Sequence, residues 1–435
     1  GVRGGGGGGR GGVELVAGLE DAGERFAVVC TPSAVALVVP VPFKDQCQEL
    51  LRGRRYAEAL NLAALGDAGG RAPWHLELRA EIGFIQLADL RFAEALANLL
   101  SCPAVQPCEL FPLFPEYTSK WLPKVPKTTN WGLRPPLVGL NSLVREGGAG
   151  ANAAEAAREA KQFVANYLHS SRQQRRGASC TPGEELALPD GVDWLLLRLL
   201  DDLGDSDLIE RLCAGPNDLE GDDVVAALEE AGHLHALALL HRAKGRPLEA
   251  LGLWRDLSEG RRRDSGSGSL VSAAEPGAGQ AVACALGTLQ GLSLDDGRGG
   301  SGAALRFFPW LLREAPKAAL GLLLDRAYGE AEVAALLRDH AGADIQWRYL
   351  HHAVVSAGSQ DGQLHTELGL KMVESVREGV YAPEKLSEVR STLQEFLRAS
   401  DLYDTNLLLD ALAGADLAAE KVAVFTKQGE HDKAL

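Results

Sequence analysis

The sequence predicts an all-α protein, an irregular α-solenoid that follows a short β segment at the N-terminus. Alanine and leucine dominate the composition, aromatic residues make up only 6%, and valine-rich alternating runs occur only before Phe43, which together favour helices. From Phe43 onward, apolar residues return every three or four positions, which is the spacing of an amphipathic helix. A short phrase ending in Glu-Ala-Leu also recurs, as expected of helical repeats.

The recurring phrase begins with an aromatic residue and continues Ala-Glu-Ala-Leu. Two full copies are Tyr56–Leu60 and Phe92–Leu96, and looser copies occur at Pro247–Leu251 and His431–Leu435. We expect the first side chain to fill the turn, while the alanine and leucine face a partner helix. The irregular spacing of the copies favours an irregular solenoid over a strict repeat of about 34 residues. Chance recurrence in an alanine- and leucine-rich protein is the alternative.

The N-terminus is predicted to be a disordered, glycine-rich tail over residues 1–24. Gly1–Gly12 contains a glycine and arginine tract with no strand before it and no helix after it, so it does not resemble a phosphate-binding loop. Arg25–Thr31 and Ala34–Val41 are β-branched runs with the pattern of a hairpin. Since two strands do not fold alone, residues 25–42 are interpreted as the last strands of a truncated larger β domain.

The first helical part is predicted over residues 43–258, with one irregular crossing and one loop. Ser101–Pro136 is rich in proline and aromatic residues, so we expect an ordered, non-helical crossing whose aromatic side chains pack on the helices. A helix over Glu155–Ser171 precedes a loop over Ser171–Leu188, and Asp193 is well placed to cap the next helix. The loop contains a basic cluster that is either solvated or in contact with acidic lipid or a partner, namely Arg172, Arg175 and Arg176.

Gly221–Gly260 is interpreted as a helical hairpin in the middle of the solenoid. Its apolar residues keep helical spacing on both sides of Lys244–Pro247, with a break at Gly232. The glycine of that turn can adopt the left-handed conformation that ends a helix, and its proline suits the first position of the next helix. A single hairpin cannot bury its apolar stripe, so we expect it to stack on neighbours and to bury Trp254.

The second helical part is predicted over residues 303–435 and ends in a truncated C-terminus. Residues 259–302, which are mostly glycine, serine and charged residues around an apolar stretch at Ala281–Leu294, are expected to form a flexible surface insertion. The helices expected after it are Phe307–Arg313, Pro316–Leu324, Ala331–His340, Ile345–Ser356, Leu364–Arg377, Pro383–Arg398, Leu402–Leu412 and Leu417–Gln428.

Composition limits the classes of partner and compartment. The formal net charge of −15 argues against broad nucleic-acid binding, because phosphates require a basic surface. Seven cysteines form no CxxC pair, so we expect a reducing, cytosolic compartment rather than a disulfide framework. We find no apolar run of about 18 residues and no secretion signal. Met372 is the only methionine, so we expect the sequence to be a fragment.

No catalytic, cofactor-binding or metal-ligating residue is predicted, and we expect neither a cofactor nor enzymatic activity. The sequence has no GxSxG, HExxH or phosphate-loop lysine pattern. His233 and His235 are two residues apart and therefore point to different faces of a helix. Another set of histidines could gather but lacks cysteines at zinc spacing, namely His340, His351, His352 and His365. The carboxylate pairs Asp201-Asp202 and Asp222-Asp223 are interpreted as helix caps.

Several stretches, in this order along the chain, resemble the Vam6-like and receptor-associated family of vacuolar-sorting proteins, the tethering subunits of the CORVET and HOPS complexes. The matching stretches are Val39–Ala63, Glu81–Leu96, Leu110–Pro115, Lys161–Arg172, Asp193–Leu200, His233–Gly260, Leu364–Val376, Ser400–Leu412 and Phe425–Leu435. The SDLYD and GEHDKAL phrases within the last two are most similar to the receptor-associated branch, which favours CORVET.

The resemblance implies a rod of clathrin-type helical repeats between a citron-homology β-propeller and a C-terminal zinc-binding region. Residues 25–42 would then be the last strands of the propeller. The implied role is a non-enzymatic scaffold that joins core class C vacuolar-sorting subunits to endosomal Rab GTPases. The protein would be cytoplasmic and peripheral on endosome and vacuole membranes, with indirect membrane association. A HOPS-type subunit and a generic coat or adaptor protein are the alternatives, and no partner-binding residue is assigned.

Overall fold

A computed structural model describes most of the chain. The described residues are 14–21, 24–31, 34–39, 41–67, 74–124, 133–137, 139–146, 148, 152–177, 189–264, 279–292, 300–325, 328–377, 383–413 and 417–429. They belong to two compact units, Gly1–Leu203 and Gly204–Leu435. Each unit has its own set of packed helices, so each is described by itself.

The first unit begins with an antiparallel sheet of strands β1 (Glu14–Asp21), β2 (Glu24–Thr31) and β3 (Ala34–Val38), in that order. The predicted hairpin is confirmed, because β2 pairs with β3 from Ala27–Val38 to Thr31–Ala34. The expected disordered tail is wrong over Glu14–Asp21, since the backbone of this segment pairs with β2 in the antiparallel sheet. Residues 1–13, including the glycine tract, lie outside the described residues, and membership of a propeller stays a prediction.

The helices of the first unit pack as neighbours along the chain. They are α1 (Phe43–Arg52), α2 (Tyr56–Asp67), α3 (Trp74–Ala88), α4 (Phe92–Leu100), α5 (Pro115–Thr118), α6 (Leu140–Glu146), α7 (Ala153–Gly177) and α8 (Val192–Leu203). Successive pairs from α1 to α4 are in contact, then α4 packs on α7 and α7 on α8. The core at the start of the unit is formed by the buried residues Cys47, Leu51, Ala59, Ala63, Leu78 and Ile82.

The proline-rich crossing is ordered, as predicted, but it is not free of helix. It contains 3-10 turns at Pro107–Leu113 and Leu122–Lys124 in addition to α5. The first of these turns begins with a proline, Pro107. A capping box stabilises its start: the side chains of Gln106 and Glu109 each form a hydrogen bond with the backbone of the other residue. Phe111 and Phe114 are fully buried, which confirms the predicted packing for these two aromatic residues, whereas Trp121 is only partly buried. Residues 125–132 lie outside the described part.

The second unit contains the remaining helices. They are α9 (Ser206–Ala214), α10 (Asp222–Ala231), α11 (Leu234–Ala243), α12 (Pro247–Ser258), α13 (Gln280–Gly291), α14 (Gly300–Leu305), α15 (Phe308–Glu314), α16 (Pro316–Asp325), α17 (Glu330–His340), α18 (Ala343–His351), α19 (Gly362–Arg377), α20 (Pro383–Ala399), α21 (Thr405–Leu412) and α22 (Ala418–Gln428). A π-helical turn at His352–Ser356 extends α18. Contacts between α11 and α12, α18 and α19, and α20 and α22 continue the pattern of packed neighbours.

The segment Gly221–Gly260 comprises three helices rather than two. Gly232 adopts φ +79° and ends α10, so the expected first helix of the hairpin is divided into α10 and α11. Gly245 adopts φ +72° and Pro247 begins α12, which confirms the predicted turn. Trp254 is completely buried, also as predicted.

The expected flexible insertion contains ordered structure. Its apolar stretch forms helix α13, which packs on α12 and α16 and buries Ala281, Val282, Ala285 and Leu289. The expectation of a surface insertion is therefore wrong for Gln280–Gly291, because small apolar residues at helical spacing supply a buried face. Residues 265–278 and 293–299 lie outside the described part of the chain.

The prediction of an all-α helical-repeat solenoid is confirmed. Between Phe43 and Gln428 the elements of the described residues are all helices or helical turns, and neighbouring helices bury alanine and leucine between them. A search of the described residues for a helix long and apolar enough to cross a membrane finds none.

Candidate functional site

Three helix-to-helix turns share one backbone arrangement, which gives the recurring phrase a structural basis. In the turns between α1 and α2, α3 and α4, and α11 and α12, one residue adopts a left-handed conformation; these residues are Arg54 (φ 55°), Leu90 (φ 59°) and Gly245 (φ 72°). The amide of the following arginine donates to a carbonyl five residues earlier, with N–O distances of 2.9, 2.8 and 2.8 Å for Arg55–Leu50, Arg91–Gln86 and Arg246–His241. This is the bonding of a Schellman cap.

The side chains of the phrase are also arranged alike. The arginine just before the phrase forms an ion pair with the glutamate of the phrase, three residues later. The N–O distances are 2.7, 2.7 and 3.4 Å in Arg55–Glu58, Arg91–Glu94 and Arg246–Glu249. The next residue, Ala59, Ala95 or Ala250, has no exposed surface. The three described copies therefore share one local structure. The same backbone turn also occurs at Gly232, where the phrase is absent, so the turn alone is not specific to the phrase. The fourth copy, at His431–Leu435, lies outside the described residues.

Trp254 and His235 form a buried polar contact in the second unit. The indole Nε1 donates to His235 Nδ1 at 3.2 Å, so Nδ1 is the unprotonated acceptor. His235 is 1% exposed, and burial lowers its pKa, which favours the neutral ring. His235 therefore stabilises the packing of α11 on α12 and is not available as a metal ligand.

The remaining histidines do not form a common site among the described residues. His365 is buried, with Nδ1 2.6 Å from the Ser400 hydroxyl and Nε2 2.8 Å from the Ser359 carbonyl. A carbonyl can only accept, so Nε2 carries the hydrogen and the hydroxyl donates to Nδ1. His351 stacks on Trp347 with ring centroids 5.1 Å apart. No group of three or more His, Cys, Asp or Glu side chains in the described ranges is arranged to hold a metal.

A buried cluster of three charged residues in the described part of the chain was not predicted from the sequence. Arg134 pairs with Glu81 at 2.8 Å and with Glu109 at 2.7 Å, and its guanidinium lies 4.1 Å from the centroid of the Phe84 ring. These contacts fix the extended segment at residues 133–137 against α3 and the turn at Pro107–Leu113. Because buried charges must be paired, this cluster is structural. A lone arginine among prolines gives no periodic signal that could reveal it.

The predicted basic cluster is divided between two environments. Helix α7 continues to Gly177, so the loop expected from Ser171 onward is wrong up to that residue. Arg172 is buried and pairs with Asp193 at 2.9 Å, and Asp193 is therefore an ion-pair partner of α7 rather than a helix cap. Arg175 is half-buried and donates to the Val105 carbonyl at 3.2 Å. The side chain of Arg176 and residues 178–188 lie outside the described part.

The carboxylate pairs serve different roles from one another. Asp202 lies in the last turn of α8 and accepts from the Tyr117 hydroxyl at 2.9 Å and from Lys161 at 2.6 Å, so the expected capping role is wrong there. Burial and the hydrogen bond to Asp202 raise the pKa of Tyr117 to about 12. Asp222 and Asp223 lie in the first turn of α10, as expected, where carboxylates interact favourably with the helix dipole.

Similar proteins were found along almost the whole chain. Vacuolar sorting protein 3 from Arabidopsis thaliana is 26% identical over 489 residues, covering 96% of this chain and 47% of that protein. The transforming growth factor-beta receptor-associated protein 1 homolog of Danio rerio and the human protein of that name are each 27% identical over 95% of this chain. The chain is therefore similar to these proteins over nearly its whole length. This confirms the resemblance seen in the collinear stretches.

The similarity to these relatives has two limits that matter for function. The chain spans about half the length of these relatives, 45–47%. No family model matches the chain. The names of these relatives describe vacuolar sorting and receptor association, and none describes catalysis.

Proposed function

We propose that the chain is a non-enzymatic scaffold segment of a CORVET-like complex that tethers membranes in endosomal and vacuolar protein transport. The observation that carries this proposal is similarity to vacuolar sorting protein 3 over 96% of the chain. In this proposal the protein acts in the cytoplasm, at the periphery of endosome and vacuole membranes. Its partners are core class C vacuolar-sorting subunits and endosomal Rab GTPases.

The packing of the chain is consistent with a scaffold. Its strongest polar contacts, such as Arg134 with Glu81 and Arg172 with Asp193, join one helix or segment to the next. His235 and His365 are buried in the core. A histidine that acts on a substrate must be accessible to that substrate. Repeated helix pairs present a long series of outer faces, and such faces bind other proteins in solenoids.

Affinity capture tests the proposal. The purified chain and the full-length protein are each immobilised and mixed with recombinant class C core subunits, and separately with an endosomal Rab protein loaded with GTP. We expect retention of the core subunits, and retention of the Rab protein by at least the full-length protein. The same Rab protein loaded with GDP is the control. The proposal would be contradicted if the full-length protein retained neither the core subunits nor the Rab protein.

The alternatives predict different assemblies. A HOPS-type subunit would co-purify from cells with the other Vam6-like subunits instead of the CORVET complex. A coat or adaptor subunit would co-purify with a coat complex, and its full-length gene would encode a pair of complete WD-type propellers. Mass spectrometry of the native assembly distinguishes the three.

A further inference from the structure

The first unit contains a small apolar cleft between the end of α4 and the C-terminal half of α7. Its volume is about 170 Å³, enough for one large apolar side chain but not for a folded domain. Its walls are largely apolar and carry one basic residue; the residues that matter here are Leu99, Leu100, Val105, Tyr167, Ser171 and Arg175.

Arg175 gives the cleft its charge. It is half-buried, one of its N–H groups donates to the Val105 carbonyl at 3.2 Å, and it forms no ion pair with any carboxylate in the described ranges. A guanidinium has five N–H donors, so donors remain for a second partner. Because a partly desolvated charge is costly without a counter-charge, the cleft favours an anionic ligand.

Two residues with hydroxyl groups line the same cleft as Arg175 and add hydrogen-bonding capacity. Tyr167 is 2% exposed and Ser171 is 6% exposed, and both line the cleft. Neither hydroxyl forms a hydrogen bond with another residue in the described part of the chain. Burial raises the pKa of Tyr167, so this hydroxyl keeps its proton and can donate to an anion.

We propose that this cleft binds a segment of a partner protein in which a large apolar side chain lies beside an aspartate or glutamate. The apolar side chain would pack on Leu99 and Val105. The carboxylate would accept hydrogen bonds from Arg175 and from the neighbouring hydroxyls, in the charge-assisted geometry that arginine forms with carboxylates. The inference does not depend on the proposed function, because it follows from the chemistry of the cleft alone.

A peptide fits the cleft better than a lipid surface does. Membrane binding through anionic lipids requires several exposed basic side chains close together. Arg172 cannot contribute, because it is buried in its pair with Asp193. The single available guanidinium is recessed in an apolar cleft, which suits one carboxylate on an apolar segment.

A matched pair of peptides tests the proposal with the whole chain. The probes are acetyl-Gly-Asp-Phe-Gly-amide and acetyl-Gly-Asn-Phe-Gly-amide, which differ only in the carboxylate, and binding is measured by NMR titration. We expect the aspartate peptide to bind about tenfold more tightly than the asparagine peptide, as a charge-assisted pair allows. R175Q should remove that preference. R158Q, which changes an exposed arginine on the same helix, should keep it.

A second variant separates binding from folding. Y167F retains the ring, so it should fold normally and weaken only the aspartate peptide, by a few-fold. Equal affinity of the two peptides, or the same loss in R158Q as in R175Q, would overturn the proposal. Binding of phosphatidylserine vesicles that R175Q abolishes, without peptide discrimination, would instead assign the cleft to lipid. A large gain in peptide affinity in E184Q/E185Q would identify the chain's own acidic residues as the occupant and overturn the choice of a partner.

Discussion

Arg54 and Leu90 hold a left-handed backbone conformation that favours glycine. The third copy of the turn has Gly245 at this position. The sequence alone does not reveal that each turn contains a left-handed residue, because two of the three positions are not glycine. At Arg54 and Leu90 this conformation lowers the stability of the folded state, because the β-carbon crowds the backbone.

Replacement of Arg54 by glycine should therefore stabilise the protein. Arg54 is exposed and its pair with Asp89 contributes little, so relief of the left-handed strain should raise the free energy of unfolding by about 1 kcal/mol. Chemical denaturation measures the change. Asp89→Asn isolates the ion pair, and Arg52→Gly, at the end of α1, should destabilise by about 0.5–1 kcal/mol. Equal destabilisation by both glycine substitutions would refute the strain argument.

Trp254 is the largest fully buried side chain among the described residues, and its removal should be costly. Trp254→Ala should lower the free energy of unfolding by about 3–5 kcal/mol, because it empties a packed site and leaves His235 without its donor. Trp254→Phe should cost less, since most of the volume is retained. A loss under about 1 kcal/mol for the alanine variant, measured by urea denaturation, would be inconsistent with this packing.

Glu420 should make the stability of the second unit sensitive to acid. Burial alone would raise its pKa, but hydrogen bonds from Arg390 at 3.0 and 3.1 Å and from Gln394 at 3.0 Å outweigh burial and lower it. A lowered folded-state pKa contributes stability above the unfolded-state pKa, and this contribution is lost as pH falls through the folded-state value. Glu420→Gln should destabilise the protein at pH 7 and reduce the loss of stability on acidification. Glu374→Gln, in an exposed pair, should leave the acid profile unchanged.

At the scale of elements, sequence periodicity located most helices. The eight helices expected after residue 303 correspond to α15 to α22, and their starts and ends agree within a few residues. These segments have clear apolar stripes and glycine or proline at their ends, so local chemistry alone determines them. The short helix α14, at Gly300–Leu305, was not expected.

The elements that were missed depend on contacts outside their own segments. β1 requires pairing with β2, and α13 requires burial against α12 and α16, while their local composition resembles a tail and a linker. The candidate cleft illustrates the same limit. Arg172 and Arg175 are equivalent in the sequence, yet only the position of Asp193 on the next helix makes one of them buried and leaves the other available.

Asp264 is a further tertiary contact of an element. It follows α12 in sequence but its carboxylate accepts from the amides of Leu234 and His235 at 2.7 and 3.3 Å, which satisfies the free N–H groups at the start of α11. Asp264→Ala should cost about 0.5–2 kcal/mol in unfolding free energy, as loss of a helix cap does. Asp339→Ala, at an exposed position on α17, should change it by less than about 0.5 kcal/mol. Equal effects would show that Asp264 does not act as a cap.

At the scale of the whole molecule, the formal net charge is −15, and many basic side chains already pair with carboxylates. Arg134 and Arg172 are buried in such pairs, and the arginines of the repeated turns are paired on the surface. The excess of negative charge opposes direct binding of the chain to an anionic lipid surface.

The purified chain should consequently show little binding to anionic vesicles. Each basic residue near such a surface contributes only about 1 kcal/mol, and the excess of acidic residues opposes approach at low salt. Co-sedimentation with phosphatidylserine-rich vesicles should retain no more protein than neutral phosphatidylcholine vesicles do. Addition of class C subunits and a GTP-loaded endosomal Rab protein anchored to the vesicles should increase retention. Saturable, salt-sensitive binding of the chain alone would contradict indirect recruitment, because it would show that the chain binds anionic lipid without a protein partner.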